Sequence, residues 1–347
     1  MNKKILAVAI SSALAVPMAA HAIKASVSGH VNRAVVFNDD GAGSSVNHVD
    51  AASSGSRLRV KGSGDLGVGG IKVGALIEWG MGSNSSFGEP IKAAAVNSGV
   101  GGLRHSHLWF SGGWGKVTMG HGSAAADGSV YQDKGGAGLA GVVQGANSYG
   151  AGVAWRTGGG GLLGTTVGAT TGGYDGGRYN MLRYDTPKLG PLGIAVSTSQ
   201  NEVWEASATL NSKFAGASVV AKLGYAHNNA SEVLATSGSI GFSQGTSITV
   251  SWSENDPSVG TTADNFYIKL AHKFGAGGVN SVGIDYQVTD DAAAAGDEST
   301  TWGIGFQHEI PGPKVSLYTG YRNWDLDRPG TATQDVDSFN VGARVRF

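Results

Sequence analysis

No cysteine occurs among the 347 residues, which excludes a disulfide-stapled scaffold and a thiolate metal site. Charge is sparse: Asp, Glu, Lys and Arg make up 15% of the chain, well below the typical quarter. The two signs nearly balance, with 25 basic against 26 acidic residues, so nothing suggests a nucleic-acid partner. Past the N-terminus no apolar run approaches the ~20 residues of a membrane-spanning helix. Mean hydropathy is close to zero. That value suits a soluble protein, but strands that alternate apolar and polar residues give it too, so a barrel in lipid hides from hydropathy plots. Glycine, by contrast, is abundant, with 58 residues.

Residues 1–22 read as a targeting segment. Lys3 and Lys4 form a basic start, Ile5 to Val16 a short apolar core, and Ala20-His21-Ala22 an A-x-A cleavage site. Without the two lysines, 23 basic residues face 26 acidic ones, a net charge of −3. No linker or composition break follows, so residues 23–347 read as one domain.

Alternation is the dominant signal. Near the C-terminus Phe339, Val341, Ala343, Val345 and Phe347 alternate with Ser338, Asn340, Gly342, Arg344 and Arg346, the period of two that a strand requires. The same pattern runs through Ile71–Trp79, Trp204–Leu210, Val219–Tyr225, Ile248–Trp252, Phe266–Phe274, Val282–Val288 and Trp302–Gln307. Segments of ~10 residues with this alternation fit a transmembrane antiparallel β-barrel. Trp79, Trp252, Phe274 and Trp302 suit interfacial girdles. Short Gly/Pro turns such as Lys213–Gly216 and Pro311–Lys314 alternate with longer polar links such as Gly82–Gly102 and Asp325–Asp337, as periplasmic turns and extracellular loops do.

One stretch breaks the pattern. Strands over Arg104–Ser111 and Lys116–Gly120 lead into residues 121–145, which are small, Gly/Ala-rich and without an apolar face, and carry Asp127, Asp133 and Lys134. We expect this segment to fold into the barrel lumen as a long third loop. The strand count is sixteen if Tyr149–Thr157 and Thr165–Thr171 form a hairpin inside that loop, and eighteen if they belong to the wall.

Several motifs have plain readings. Gly62 to Gly67 fits G-x-G-x-x-G, but a strand rather than a helix follows, so it is a hairpin turn. Gly115-Lys116 precedes Val and is no phosphate-binding loop. His105 and His107 share one strand face, too few ligands for a metal site. Asp290-Asp291 and Asp297-Glu298 read as solvated loop residues, with calcium binding the less favoured alternative. No nucleophile elbow is present. No catalytic residue, metal or cofactor is therefore assigned, and the chain is not read as an enzyme.

The basic ladder is sharper. Arg57, Arg59 and Lys61 sit two apart around Leu58 and Val60, so they share one face. On a lipid face they would cost roughly 2–4 kcal/mol each at the midplane. They are therefore assigned to the lumen, where fixed charge selects ions; the plain alternative is solvated charge at the barrel rim.

These residues resemble the Gram-negative general porins. Ser56 to Gly67 is similar to the family's second strand and first turn, and Leu108 to Gly120 to the hairpin before the constriction loop. Arg183 to Pro187 is similar to a recurrent strand end after that loop, and Gly342 to Phe347 to the terminal strand. The resemblance implies a sixteen-stranded homotrimer in the outer membrane of a Gram-negative bacterium, passing ions and small hydrophilic solutes. It implies contact with outer-membrane lipid and lipopolysaccharide, and a terminal Phe347 read by the barrel-assembly machinery. It implies that Arg57 and Lys61 belong to a basic wall and that Asp127 and Asp133 are candidates for the facing loop; Arg59 of the ladder and Arg183 join the wall candidates and His121 the loop candidates. The loop is longer and less acidic than the family pattern suggests, and His121 stands where many relatives carry Arg or Gln. Basic strand residues, among them Lys222, Lys269, Lys273 and Arg322, outnumber acidic ones, which predicts a weak anion preference. The alternatives are a substrate-specific channel and a barrel enzyme or adhesin.

Overall fold

The computed structural model describes residues 23–347 apart from 68, 90, 92–100 and 201. The proposed targeting segment lies outside the described residues. In chain order the strands are β1 (Lys24–Asp39), β2 (Ser44–Asp50), β3 (Arg57–Asp65), β4 (Lys72–Gly80), β5 (Leu103–Gly112), β6 (Gly115–Ser123), β7 (Ala154–Thr157), β8 (Leu162–Thr166), β9 (Arg178–Asp185) and β10 (Leu192–Ser199). They continue as β11 (Trp204–Phe214), β12 (Ala217–Asn228), β13 (Ser231–Gly241), β14 (Thr246–Pro257), β15 (Ala263–Phe274), β16 (Asn280–Asp290), β17 (Glu298–Ile310), β18 (Val315–Asp327), β19 (Thr333–Gln334) and β20 (Val336–Arg346).

Sequential antiparallel pairing runs around a wall that β1 and β20 close, with Phe37 opposite Phe339. Closure leaves no open edge, the condition for a sheet in lipid. β2 and β3 together make one wall strand. β2 pairs with the second half of β1 and β3 with the first, while a short 3-10 turn at Ala52–Ser54 leaves the wall between them. The result is a closed barrel of sixteen strands. β7 and β8 are outside the wall: they form a hairpin in the long segment between β6 and β9, and β7 also pairs with β19 in the last loop. This resolves the count to sixteen.

The two faces of the wall are inverted relative to a soluble sandwich. Phe266, Ile268, Leu270, Ile284 and Ile304 are exposed on the outside, while Asn265, Lys269, Asp285, Gln287, Thr289 and Thr301 are buried inside. Water is the solvent of the lumen and lipid that of the outer face, so alternation sends polar residues inward. Of the girdle candidates, Trp79, Phe274 and Trp302 are exposed and Trp252 is half-buried. Trp302 packs against Tyr321 at 5.4 Å and Phe274 against Phe306 at 6.4 Å. The glycine-rich motif is a hairpin turn, closed by Leu66 N–H donating to Ile71 O at 2.8 Å. On the side of the longer links, β12 and β13 are nonetheless joined through only residues 229–230.

Candidate functional site: the narrowed lumen

The segment from 124 to 177 folds into the lumen and lies along one side of it. The small residues that gave no apolar signal provide its packing face. Ala126 and Val130 pack with Ala226, Val233 and Ala235, and Leu139, Ala140 and Tyr149 pack with Ala34, Val36, Val49 and Tyr318. A segment without an apolar face in its sequence thus packs all the same, because small side chains fit a wall that is itself small. A Cβ on Gly320 would lie 2.1 Å from Ala140 O, and one on Gly305 2.6 Å from Ala140 Cβ. Glycine at these wall positions is what allows the close approach.

Polar anchors complete the attachment. Ala125 N–H donates to Ser197 Oγ at 2.9 Å and Ala126 N–H to Glu205 Oε2 at 2.6 Å. Gln132 N–H donates to Ser237 Oγ, Lys134 N–H to Ser239 Oγ and Ala137 N–H to Ser281 Oγ, each near 3.0 Å. Wall cations hold the loop, among them Lys222, Lys269 and Arg322. Lys222 Nζ donates to Asp127 O, and Lys269 Nζ donates to Asp133 Oδ2 and Val142 O. Arg322 Nη2 donates to Gly141 O and to buried Asp285. These cations satisfy loop carbonyls and carboxylates, so they belong to the anchor and not to the water path. Beyond the anchor, Trp324 Nε1 donates to Ala146 O and Arg156 Nε to Asp40 Oδ2 at 2.7 Å, tying the hairpin to the mouth.

The opposite side stays open. A cavity of about 570 Å³ lies between the loop and β3–β5, lined by Arg57, Arg104 and Arg178 and by Asp50, Asp127, Tyr131, Gln144 and Asp175. A second cavity of about 520 Å³ shares Arg57 and adds His30, Arg59, Lys314 and Arg346 near the C-terminus. Arg57, Arg59 and Arg104 converge on Glu78, which is wholly buried. In the loop, burial pushes the Asp175 carboxyl up to about 7, with Asp127 adding to the rise, although Gly128, Ser129 and Gly176 N–H groups pull it back. Burial acts the same way on Asp133, but Lys269, Gly135 N–H and the Thr249 hydroxyl outweigh it and hold that carboxyl below its usual value.

The residues singled out from sequence are thus dispersed. Arg57 lines both cavities, Arg59 the second, and Asp127 the first, 3.8 Å from Arg178. Lys61 is exposed further along β3. Arg183 lines a third cavity of about 370 Å³ with His105, His107, Lys116 and Asp185, and it donates to Ser123 O and Ala124 O at the loop base. Asp133 faces the wall, bound to Lys269, and does not line the open cavities. His121 is not in the loop. The β5–β6 and β6–β9 ladders extend the strand to Ser123, and His121 pairs with Ser106, on the strand face of exposed Met119. Among the described residues no group of three His, Asp or Glu is placed to hold a metal. Asp297 is bound by Arg328 at 2.7 Å.

Arg104, Arg178 and Asp175 were missed, whereas the alternation of β4 already sends Glu78 to the lumen. Strict alternation sends Arg104 outward, opposite in sense to His105. The register slips between Glu78 and Trp79, which pair with His105 and Leu103. Arg104 is the extra residue of this bulge, and bulges re-aim side chains in this way.

Known proteins share the architecture. The anion-selective porin from Comamonas acidovorans aligns with a TM-score of 0.62 at 16% identity, over 94% of this chain and 100% of that one. The outer membrane channel DcaP of Acinetobacter baumannii aligns at 0.61 and 13%, over 94% and 97%. Salmonella typhi OmpF, in complex with daunomycin, aligns at 0.60 and 14%, over 94% and 98%. A search of curated protein sequences finds no match. The model of the Gram-negative porin family matches residues 6–329. With a closed wall, a polar lumen and a loop narrowing it, the chain belongs to the Gram-negative porin family and is an outer-membrane channel for passive diffusion.

Proposed function

We propose that solutes cross this channel through the gap between the inserted loop and the β3–β5 wall, and that Arg57, Arg59, Arg104 and Arg178 give it a weak preference for anions. The observation that carries this reading is the convergence of three guanidiniums on one carboxylate beside the water-accessible cavity. Those three cations outnumber Glu78, and the second cavity adds Lys314 and Arg346, of which, among the described residues, only Arg346 is paired with a carboxylate, Glu309. Near the loop the balance is closer, since Asp50, Asp127 and Asp175 face Arg57, Arg104 and Arg178. Selectivity is therefore modest. Rings and walls of fixed charge act on ions in this way without binding chemistry, and no catalysis is assigned.

The working form is a homotrimer in lipid and lipopolysaccharide, inserted by assembly machinery that reads Phe347. The exposed apolar belt on the outer wall supports contact with lipid or neighbouring copies. Planar-bilayer recording across a KCl gradient tests the proposal. Ohmic steps in groups of three with a reversal potential on the chloride side are expected. A folded barrel that passes no current, or one with a clear potassium preference, overturns it.

A further inference from the structure

Glu78 is fully buried, yet it stands on the lumen face of β4 with three guanidiniums around it. Its two oxygens are unequally shared. Arg59, directly opposite across the β3–β4 ladder, gives both Nε and Nη2 to Oε2. Arg104, turned inward by the bulge, gives Nε to Oε1 at 2.8 Å. Arg57 stands off, with Nη1 3.5 Å from Oε1, and its one hydrogen bond runs from Nε to Gly55 O at 3.0 Å. Among the described residues the terminal nitrogens of both Arg57 and Arg104 make no hydrogen bond, and both arginines line the first cavity, Arg57 the second as well. Three cations of equal formal charge are therefore unequal in what they offer a passing solute.

We infer that Glu78 is a positioning residue that sets the specificity of the channel: it ties down Arg59 through two bonds, holds Arg104 only at Nε, and leaves the forks of Arg57 and Arg104 as the donors that meet a permeating anion. A buried carboxylate in this place also offsets one of the three charges. The bulge serves the same arrangement, because without it Arg104 would face the outside of the wall and Glu78 would hold one fewer partner. This inference rests on the reading that the basic cluster sets ion preference.

The test compares reversal potentials in a KCl gradient for the whole channel and its variants. Glu78→Gln raises the chloride-to-potassium permeability ratio by roughly fourfold, because one unit charge about 10 Å away in a water-like dielectric shifts each ion about twofold in opposite directions. Glu78→Asp keeps the native ratio. Arg57→Gln and Arg104→Gln each lower the ratio more than Arg59→Gln, although each removes one charge. In the Glu78→Gln background the three arginine substitutions become equal. A ratio unchanged or lowered in Glu78→Gln, or equal effects of the three arginines in the native background, overturns the inference. If Glu78→Gln fails to form the heat-modifiable barrel on a gel, the ranking of the arginine variants alone decides. A native channel that lacks anion preference and ignores Arg57→Gln instead sinks the functional reading beneath it.

Discussion

The two sides of the lumen follow the same alternation and use it differently. Along β11–β18 and β20 the inward residues are mostly Ser, Thr, Asn and Gln, with a few charged groups, and many are bound to the inserted loop. Along β3–β5 the inward residues include Arg57, Arg59, Glu78, Arg104 and His105, and they border the open cavities. Lys269 is 2% exposed, while the side chain of Arg59 is 44% exposed. A lumen-facing cation is thus an anchor on one side and part of the water path on the other. Counting basic residues along the wall overstates the charge that a solute meets, because Lys222, Lys269 and Arg322 are already committed to the loop.

Breaking the anchored side gives the largest effect. Asp285→Ala leaves Arg322 buried without its carboxylate, which costs about 3–5 kcal/mol. Thermal unfolding in detergent should shift down accordingly, and single-channel current should become noisy as the loop loosens. The neighbouring residue sharpens the contrast between the two faces of one strand. Ile284→Lys puts a charge on the lipid side and should cost roughly 2–4 kcal/mol near the midplane. Its unfolding free energy should fall in lipid while the open-channel current stays native. An intact stability in vesicles would mean that Ile284 does not face lipid.

Smaller changes probe single anchors. Ser237→Ala removes a hydroxyl that donates to Ser129 O and accepts from Gln132 N–H, a loss of about 1 kcal/mol. A modest drop in denaturation midpoint with unchanged ion selectivity is expected. The smallest effect is on pH dependence. With its carboxyl pushed up to about 7 by burial, Asp175 gains a proton as pH falls through neutrality and withdraws one negative charge from the cavity. The chloride-to-potassium ratio should rise between pH 8 and pH 6 and be flat in Asp175→Asn. The sign for stability is the same. A folded pKa of about 7 above the ordinary value of 3.8 means the ionised form is penalised, so the loop gains stability as pH drops from about 7 towards 3.8 and has lost it at higher pH.

Much of the wall could be read from residues alone. Ile284 beside Asp285 and Ile268 beside Lys269 state which face meets lipid, and the ladder of Arg57 and Arg59 states that charge enters the lumen. The residues of the narrow part were harder, because parity fails where the backbone is irregular. Arg104 enters through a bulge, Arg178 opens β9 after a Gly-rich return, and Asp175 belongs to a segment without a period. His121 was misplaced for the complementary reason, since pairing with β5 and β9 carries β6 past the point where the alternation weakens.

The sequence by itself determined the closed barrel, because a period of two over so many segments has no other way to satisfy both backbone and lipid. It also determined that one glycine- and alanine-rich stretch leaves the wall. Only the tertiary structure decided which side that stretch lies against, which cations it consumes and which remain in water. Those choices depend on contacts between strands far apart in the chain, such as Asp133 with Lys269 and Ala140 against Gly320, and local pattern carries no information about them.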